Sequence, residues 1–485
     1  MQQDPIQRAR SLEDLGQFRE ARMMYRRLAG KHPTNAAIFA GIGRCSIVMH
    51  EYSDAERALA SAARMEPDNT DHLTNLAYCY AHMGDGEAAE SCARRVLALC
   101  PGHAPAIRVL ADALRMAGEL EAAYRLVEPV ARAAGCEPSL VIMFARLAAS
   151  IGDTREAIDV LESLDRGGVL SESDRASLHY ELGGVYDRVG RFDDAWASFE
   201  LANRLSASSP SIGSVLMHMD ALRRAWTAER VRSAPRASVE SETPVFIVGM
   251  PRSGSSLLEQ VLSMCDGVSA GGERSEIPVA SRSLLYPEGV LPISAEVIAA
   301  RVDRVRRSSL DRLSRQIEKS LRRVDAGAQH IVDKNLSNYL YIPLIWMLFP
   351  GATIIHTRRN PLDTCVSCYF RNFGPGMEFT NDLSSLGAQY RHYDRLMEHW
   401  HEVFPGRIVD VVYREFVEDF ESQARRIVEA VGATWTDSCL RFYERRDIVA
   451  TESAEQVRRP LYKSSVGRWK NYEKHLGKLR SALEG

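Results

Sequence analysis

Small and apolar residues recur through the first two hundred positions in a helical rhythm that carries a longer period. Ala9, Gly43, Ala77, Ala111 and Ala145 stand 34 residues apart, and Ala21, Ala55, Ala89, Ala123 and Ala157 form a second ladder with the same step. Two ladders in fixed phase predict a repeating helix pair, with a small residue on each helix where the two must approach closely. The punctuation keeps the same phase. Gly16, Gly84, Gly118 and Gly152 lie five residues before members of the second ladder, while Pro33, Pro67 and Pro101 lie twelve residues after its first three. Glycine marks the turn between helices and proline the stop after the second. A sixth copy at Gly183, Gly190 and Ala195 is displaced by four residues, which places an insertion in the DRGGVLSES stretch near 165–173.

The pattern resembles tetratricopeptide repeats, and six of them are expected over about residues 4 to 207. One copy cannot bury its apolar face, so stacking supplies the core and leaves a concave groove of the kind that takes up peptides or partner proteins. A protein or peptide partner in that groove is one expectation; packing against the rest of the chain, or pairing with a second copy, is the other. A helix-like stretch, VLMHMDALRRAWTAERV, follows as a capping or bridging helix, and RSAPRASVESET reads as a linker. The expected boundaries are a repeat solenoid over 1–232, a linker over 233–242 and a second domain over 243–485.

After the linker the period changes. PVFIVGM is a short apolar run with strand character; PRSGSS follows, and then a helical segment whose Leu257, Leu258, Val261 and Leu262 share one face. Strand, loop and helix in this order can cradle a phosphate on backbone N–H groups at the helix start. Gly249, Gly254, Ser255 and Ser256 nearly satisfy GxxxxGK[ST], but Ser255 stands where a nucleotide triphosphatase carries lysine. Composition narrows the ligand further. The 61 basic and 64 acidic residues give a net charge of -3, which provides no broad positive field for nucleic acid, so any anion site is local. A length of 485 residues suggests roughly three domains. MQQDPIQRAR lacks a signal-peptide core and no run of membrane-spanning length occurs, so a cytoplasmic protein is expected. Nine cysteines are scattered, and Cys365 and Cys368 have no second pair at zinc-finger spacing.

PRSGSS after a strand, then GGERSEIP, DKN and TRRNPLDTCVS, together resemble the 3′-phosphoadenosine 5′-phosphosulfate (PAPS) sulfotransferases, nearest their tyrosylprotein branch. The resemblance covers about residues 242 to 470 and rests on four blocks in order. It implies a three-layer, P-loop-like α/β domain with a central parallel sheet. The whole chain is similar to bacterial proteins that join tetratricopeptide repeats to such a domain. The resemblance makes Arg252, Ser253, Gly254, Ser255 and Ser256 the cradle of the 5′-phosphosulfate, and Arg359 with Ser367 the binders of the 3′-phosphate. Arg358 is the competing arginine.

Sulfuryl transfer moves a neutral SO3 unit between oxygens, so protein cations can replace the metal that kinases need, and no metal site is expected. Such a reaction requires a base for the acceptor hydroxyl and cations facing the donor oxygens. By resemblance, Glu273 is the base, with Glu276 the alternative. Lys334 faces the bridging oxygen of the leaving group, and Arg252 also reaches the transferring group. Tyr413, Ser453, Arg459, Lys463 and Arg468 are further candidate nucleotide contacts. His330 and His356 read as strand-end histidines satisfied by their neighbours. The expected activity is transfer from PAPS to an acceptor hydroxyl, releasing adenosine 3′,5′-bisphosphate. A nucleotide-binding repeat scaffold without catalysis and an ATP-dependent kinase are the alternatives.

Overall fold

The two ladders of small residues mark the seams of a helical stack. In the computed structural model, which describes residues 4–49, 51–206, 212–286, 293–373, 376–444, 457–458, 461 and 465–485, five helix hairpins follow one another. They are α1 (Pro5–Asp14) with α2 (Phe18–Ala29), α3 (Ala36–Val48) with α4 (Tyr52–Met65), α5 (Thr70–Met83) with α6 (Gly86–Leu99), α7 (Ala104–Ala117) with α8 (Leu120–Ala131), and α9 (Pro138–Ile151) with α10 (Thr154–Gly167). Every ladder alanine is fully buried. At Gly43 an added Cβ would lie 2.4 Å from Leu59 Cγ, so α3 touches α4 with no room for a side chain. Gly84, Gly118 and Gly152 end their helices in the left-handed conformation, as the turn pattern requires. Between hairpins, Val109, Leu110, Leu114, Val127, Leu140 and Phe144 join one continuous apolar cluster. The first compact unit extends through Asp174 among the described residues.

The second unit takes in every described residue from Arg175 onward. It begins with the sixth hairpin, α11 (Glu172–Arg188) and α12 (Phe192–Ser206). This copy packs within the second unit: Phe199 stacks on Phe370 at 3.9 Å, Trp196 stacks on Tyr369 and His475, and Asn203 Nδ2 donates to the Tyr369 carbonyl at 2.8 Å. Asp187 accepts from Tyr472 and pairs with Arg468. The stretch after the sixth hairpin forms two helices, α13 (Gly213–Ala225) and α14 (Ala228–Ser233), both within this unit. Residues 233–242, linker-like in composition, are fastened along the unit. Ala237 N donates to the Met347 carbonyl, Ser238 N to Asp311 Oδ1, and Ser241 Oγ to Glu318, while Ala234 and Ala237 are buried. Backbone pairing of this sort depends on what lies opposite, which a polar composition does not record.

A five-stranded sheet follows, in the order β2 (Val268–Ala270), β3 (His330–Asp333), β1 (Pro244–Gly249), β4 (Thr353–Arg358) and β5 (Ile408–Val412). All its pairings are parallel. Every residue of β1 is buried, as expected for a central strand covered on both faces. The helices are α15 (Ser255–Leu262), α16 (Glu276–Leu284), α17 (Ala295–Val302), α18 (Arg307–Leu321), α19 (Ile342–Leu348), α20 (Pro361–Tyr369), α21 (Leu383–Val403), α22 (Tyr413–Glu418), α23 (Phe420–Val431) and α24 (Gly477–Glu484). Because the strands are parallel, their C-terminal ends share one edge, and the strand order reverses around β1 there. Among the described residues, no helix is long and apolar enough to cross a membrane.

The Gly43 seam gives a direct test. Gly43→Leu forces a side chain into Leu59 and is expected to lower stability by about 1–3 kcal/mol in urea unfolding followed by circular dichroism. Gly102→Ala, where the added carbon meets nothing within 4 Å, is expected to stay within about 0.5 kcal/mol of wild type.

Candidate active site

β1 delivers the chain into residues 250–254 and then into α15, whose first-turn Ser255 and Ser256 are buried. The loop is tight. Arg252, at φ 66°, is the one non-glycine residue with positive φ among those described, a conformation that costs on the order of 1 kcal/mol or more and points to a functional constraint. A Cβ on Gly249 would meet the Thr357 carbonyl at 2.7 Å, and one on Gly254 would meet the Tyr413 ring at 2.4 Å. Only glycine lets β4 and α22 approach the loop this closely. The Ser253 hydroxyl donates to the Met250 carbonyl at 2.6 Å and lies 2.7 Å from Thr357 Oγ1 on β4, so it braces the loop.

Two arginines meet beside this loop. Arg359, just past β4, donates through Nη1 to the Arg252 carbonyl at 2.9 Å and through Nη2 to the Ser465 carbonyl at 2.6 Å. Its guanidinium lies 5.0 Å from the Tyr413 ring centroid, and Tyr413 Oη lies 2.8 Å from Ser465 Oγ. Arg252 Nε donates to Ser367 Oγ on α20 at 3.0 Å. Asp363 at the start of α20 accepts from Gly467 N at 2.8 Å and Trp469 N at 3.1 Å, which fixes the segment carrying Ser465. Arg359 Nε is buried without a hydrogen-bond partner among the described residues. A buried donor in that state is costly. Arg358 points to different partners, with guanidinium nitrogens 3.7 Å from Asp394 and from Asp410. Cys368 donates its thiol to the Pro251 carbonyl; burial pushes its pKa up to about 12 against the opposing charges of Arg252 and Arg359.

A second cluster forms where β3 ends. Lys334 is 1% exposed, and its Nζ donates to Glu273 Oε1 at 2.9 Å with Glu259 Oε2 4.0 Å away. Burial pulls the lysine pKa down, and the charges of Glu259 and Glu273 outweigh it, leaving the pKa raised. The Glu273 side chain is 60% exposed. Glu276 is committed elsewhere: it pairs with Arg274 and accepts from Ser320 Oγ at 2.8 Å. Burial raises its pKa, and Arg274 more than reverses that. Asn335 Nδ2 holds the Arg274 carbonyl at 2.6 Å. Asp333 accepts from Asn335 N, Arg274 N and Asn338 Nδ2. His330 bonds the Glu242 carbonyl, while His356 bonds Asp410 and Tyr393. His356, His401 and Asp410 bring ligand atoms within 4.8 Å of one another, but the Arg358 guanidinium stands beside Asp410 and opposes a cation there.

Arg252, Ser253, Gly254, Ser255, Ser256, Arg359, Ser367 and Tyr413 are thus assembled on one sheet edge, with Glu273 and Lys334 in direct contact at the neighbouring strand end. Arg468 is placed otherwise: its guanidinium is held by Asp187 of α11, a partner that only the tertiary packing supplies. Ser453, Arg459 and Lys463 lie outside the described residues. Thr357, Asp363, Ser465 and Glu259 were not singled out by sequence. Only Glu259 carried a signal, as a charge inside the short apolar helix that follows the loop.

Residues 244–437 match the family model described as the sulfotransferase family, and residues 11–128 match that of the coatomer epsilon subunit. The sulfotransferase-family match lies within the sheet-bearing unit. An uncharacterized protein of Aquifex aeolicus (strain VF5) is 30% identical over 402 residues, covering 79% of this chain and 51% of the relative. The chain therefore spans about half the length of that relative. A "Putative protein-tyrosine sulfotransferase" of Caenorhabditis briggsae is 23% identical over 242 residues, covering 47% of this chain and 81% of the relative. Among solved structures, the sulfotransferase domain of the Synechococcus PCC 7002 olefin synthase overlaps 49% of this chain and 91% of its own, with 18% identity and a TM-score of 0.35. A tetratricopeptide repeat protein from Parabacteroides merdae overlaps 42% of this chain and 78% of its own, with 16% identity and a TM-score of 0.39.

Burial pushes the Asp333 carboxyl up to about 7. A carboxyl raised on folding binds its proton more tightly when folded, so its contribution is complete below about pH 4 and is lost as pH rises through about 7. Asp333→Asn removes that loss. Its melting temperature relative to wild type is expected to improve between about pH 5 and about pH 8; a difference that stays constant across thermal melts in that range would show that Asp333 does not titrate there.

Proposed function

We propose that this chain is a PAPS-dependent sulfotransferase that modifies a hydroxyl on a protein or peptide. The observation that carries the reading is the meeting of two arginines, one with a buried unpartnered N–H, at a glycine-bounded loop beside a lysine–glutamate pair. The residues present fit the donor. The 250–256 loop and helix start, with Arg252, would hold the 5′-phosphosulfate, and Arg359 with Ser367 the 3′-phosphate. When bound, PAPS supplies a sulfuryl group attached to a phosphate that departs within adenosine 3′,5′-bisphosphate.

The protein's part is to orient, to hold charge and to move one proton. Glu273, exposed at the rim, accepts the proton of an acceptor hydroxyl arriving from solvent. Lys334, buried and kept positive, offers fixed charge to oxygen atoms that become more negative during transfer. Arg252 adds a second cation, anchored to Ser367. Ser255 in place of the ATPase lysine argues against a nucleoside triphosphate as the donor. Two features favour a protein acceptor. One is the likeness to a relative named as a protein-tyrosine sulfotransferase. The other is a stacked-hairpin unit of the type that binds peptides.

Two variants separate binding from chemistry. Arg359→Ala is expected to weaken adenosine 3′,5′-bisphosphate binding by about 10- to 100-fold in titration calorimetry, the value of a charged hydrogen bond. Glu273→Ala is expected to keep that binding and to reduce transfer of radiolabelled sulfate from PAPS by about 10²- to 10⁴-fold. Absence of bisphosphate binding by the wild type overturns the reading; binding without any sulfated product leaves a nucleotide-binding scaffold. In a lysate assay the label is expected in protein, and label confined to glycan or lipid would reassign the acceptor.

A further inference from the structure

Glu259 is a carboxylate placed almost out of water. It sits in α15, an otherwise uncharged eight-residue helix, and is 4% exposed. Its Oε1 accepts from the Gly272 N–H at 3.1 Å, and its Oε2 is 4.0 Å from Lys334 Nζ. Lys334 closes the circuit. Its own N–H donates to the Gly272 carbonyl at 2.8 Å, and its ammonium donates to Glu273 at 2.9 Å. Both the N–H and the carbonyl of Gly272 are therefore held, one by α15 and one by the residue that follows β3, and Glu273 is the next residue along.

We propose that Glu259 is a positioning residue that serves as the permanent counter-charge of Lys334 and fixes the backbone from which Glu273 reaches it. The proposal rests on the roles given to Lys334 and Glu273 above. A base must take up a proton during the reaction, and once Glu273 is protonated it no longer balances the lysine. A buried ammonium left without an anion is strongly disfavoured and tends to lose its proton. Glu259, only 4% exposed, is out of reach of an acceptor hydroxyl and stands 4.0 Å from the ammonium whether or not Glu273 has taken up a proton. Asp333, the chain neighbour of Lys334, also raises the lysine pKa, but its carboxyl oxygens accept from Asn335 N, Arg274 N and Asn338 Nδ2 and not from the ammonium.

Two measurements on the full chain decide the matter. In a thermal-melt cycle of wild type, Glu259→Gln, Lys334→Met and the double variant, the double variant is expected to lose clearly less melting temperature than the sum of the single losses, because Lys334→Met strands the buried Glu259 carboxylate and the second change removes that charge. Additive losses would overturn the pairing. This arm needs no catalytic activity, so it stands even if no sulfated product is ever found, a result that would count against the proposed function alone. The second arm follows sulfate transfer against pH. Glu259→Gln keeps an acceptor for Gly272 N but removes the charge, so Lys334 deprotonates more easily. The alkaline limb of the rate profile is expected to move down by about one pH unit, a tenfold change in the protonation equilibrium. A uniformly lower rate with the limb unmoved would assign Glu259 a purely structural role and overturn the proposal.

Discussion

Because the five strands run parallel, each must end on the same edge of the sheet, and the chain has to leave and return around every one of them. That geometric requirement gathers residues separated by more than a hundred positions. The 250–254 loop follows β1, Glu273 lies beyond β2, Lys334 follows β3, Arg359 follows β4 and Tyr413 follows β5. Strand β1, buried along its whole length, sets the register on both sides. The reversal of strand order around it leaves the edge open to a ligand at that point.

Placing cations at such an edge creates an electrostatic problem that the chain meets in two ways. Lys334 is wholly enclosed and is answered by carboxylates, one buried and one exposed. Arg359 is answered by neutral groups, two backbone carbonyls and an aromatic face, and its buried Nε–H finds no hydrogen-bond partner among the described residues. The first arrangement keeps a charge in place; the second keeps a charge available. The overall charge of -3 is consistent with both, since the positive field is needed only within a few ångströms of the loop.

The repeats show how one sequence period can serve two packing contexts. Five hairpins bury their small-residue seams against one another. The sixth keeps its own seam, where Phe199 fills the space left by Gly183. Its aromatic residues Trp196 and Phe199 also meet Tyr369, Phe370 and Tyr472 further along the same unit. The four-residue displacement near 165–173 falls just before the division between the two units at Asp174.

The repeat architecture and the strand–loop–helix order around the 250–254 loop were legible in the amino-acid order because they depend on short-range rules, whereas Arg252, Lys334 and Arg359 were picked out by the resemblance of four ordered blocks. Those rules are a fixed period, glycine where a Cβ cannot fit, and polar residues directly after an apolar strand. The tertiary structure decided which partner each group found. Arg468 meets Asp187 across 281 positions of chain, Ser465 bridges Arg359 and Tyr413, and Glu259 reaches both Gly272 and Lys334. Sequence records the chemical type and local spacing of these residues, whereas hydrogen bonds and ion pairs form between atoms a few ångströms apart. Only the folded sheet edge brings those atoms within that distance.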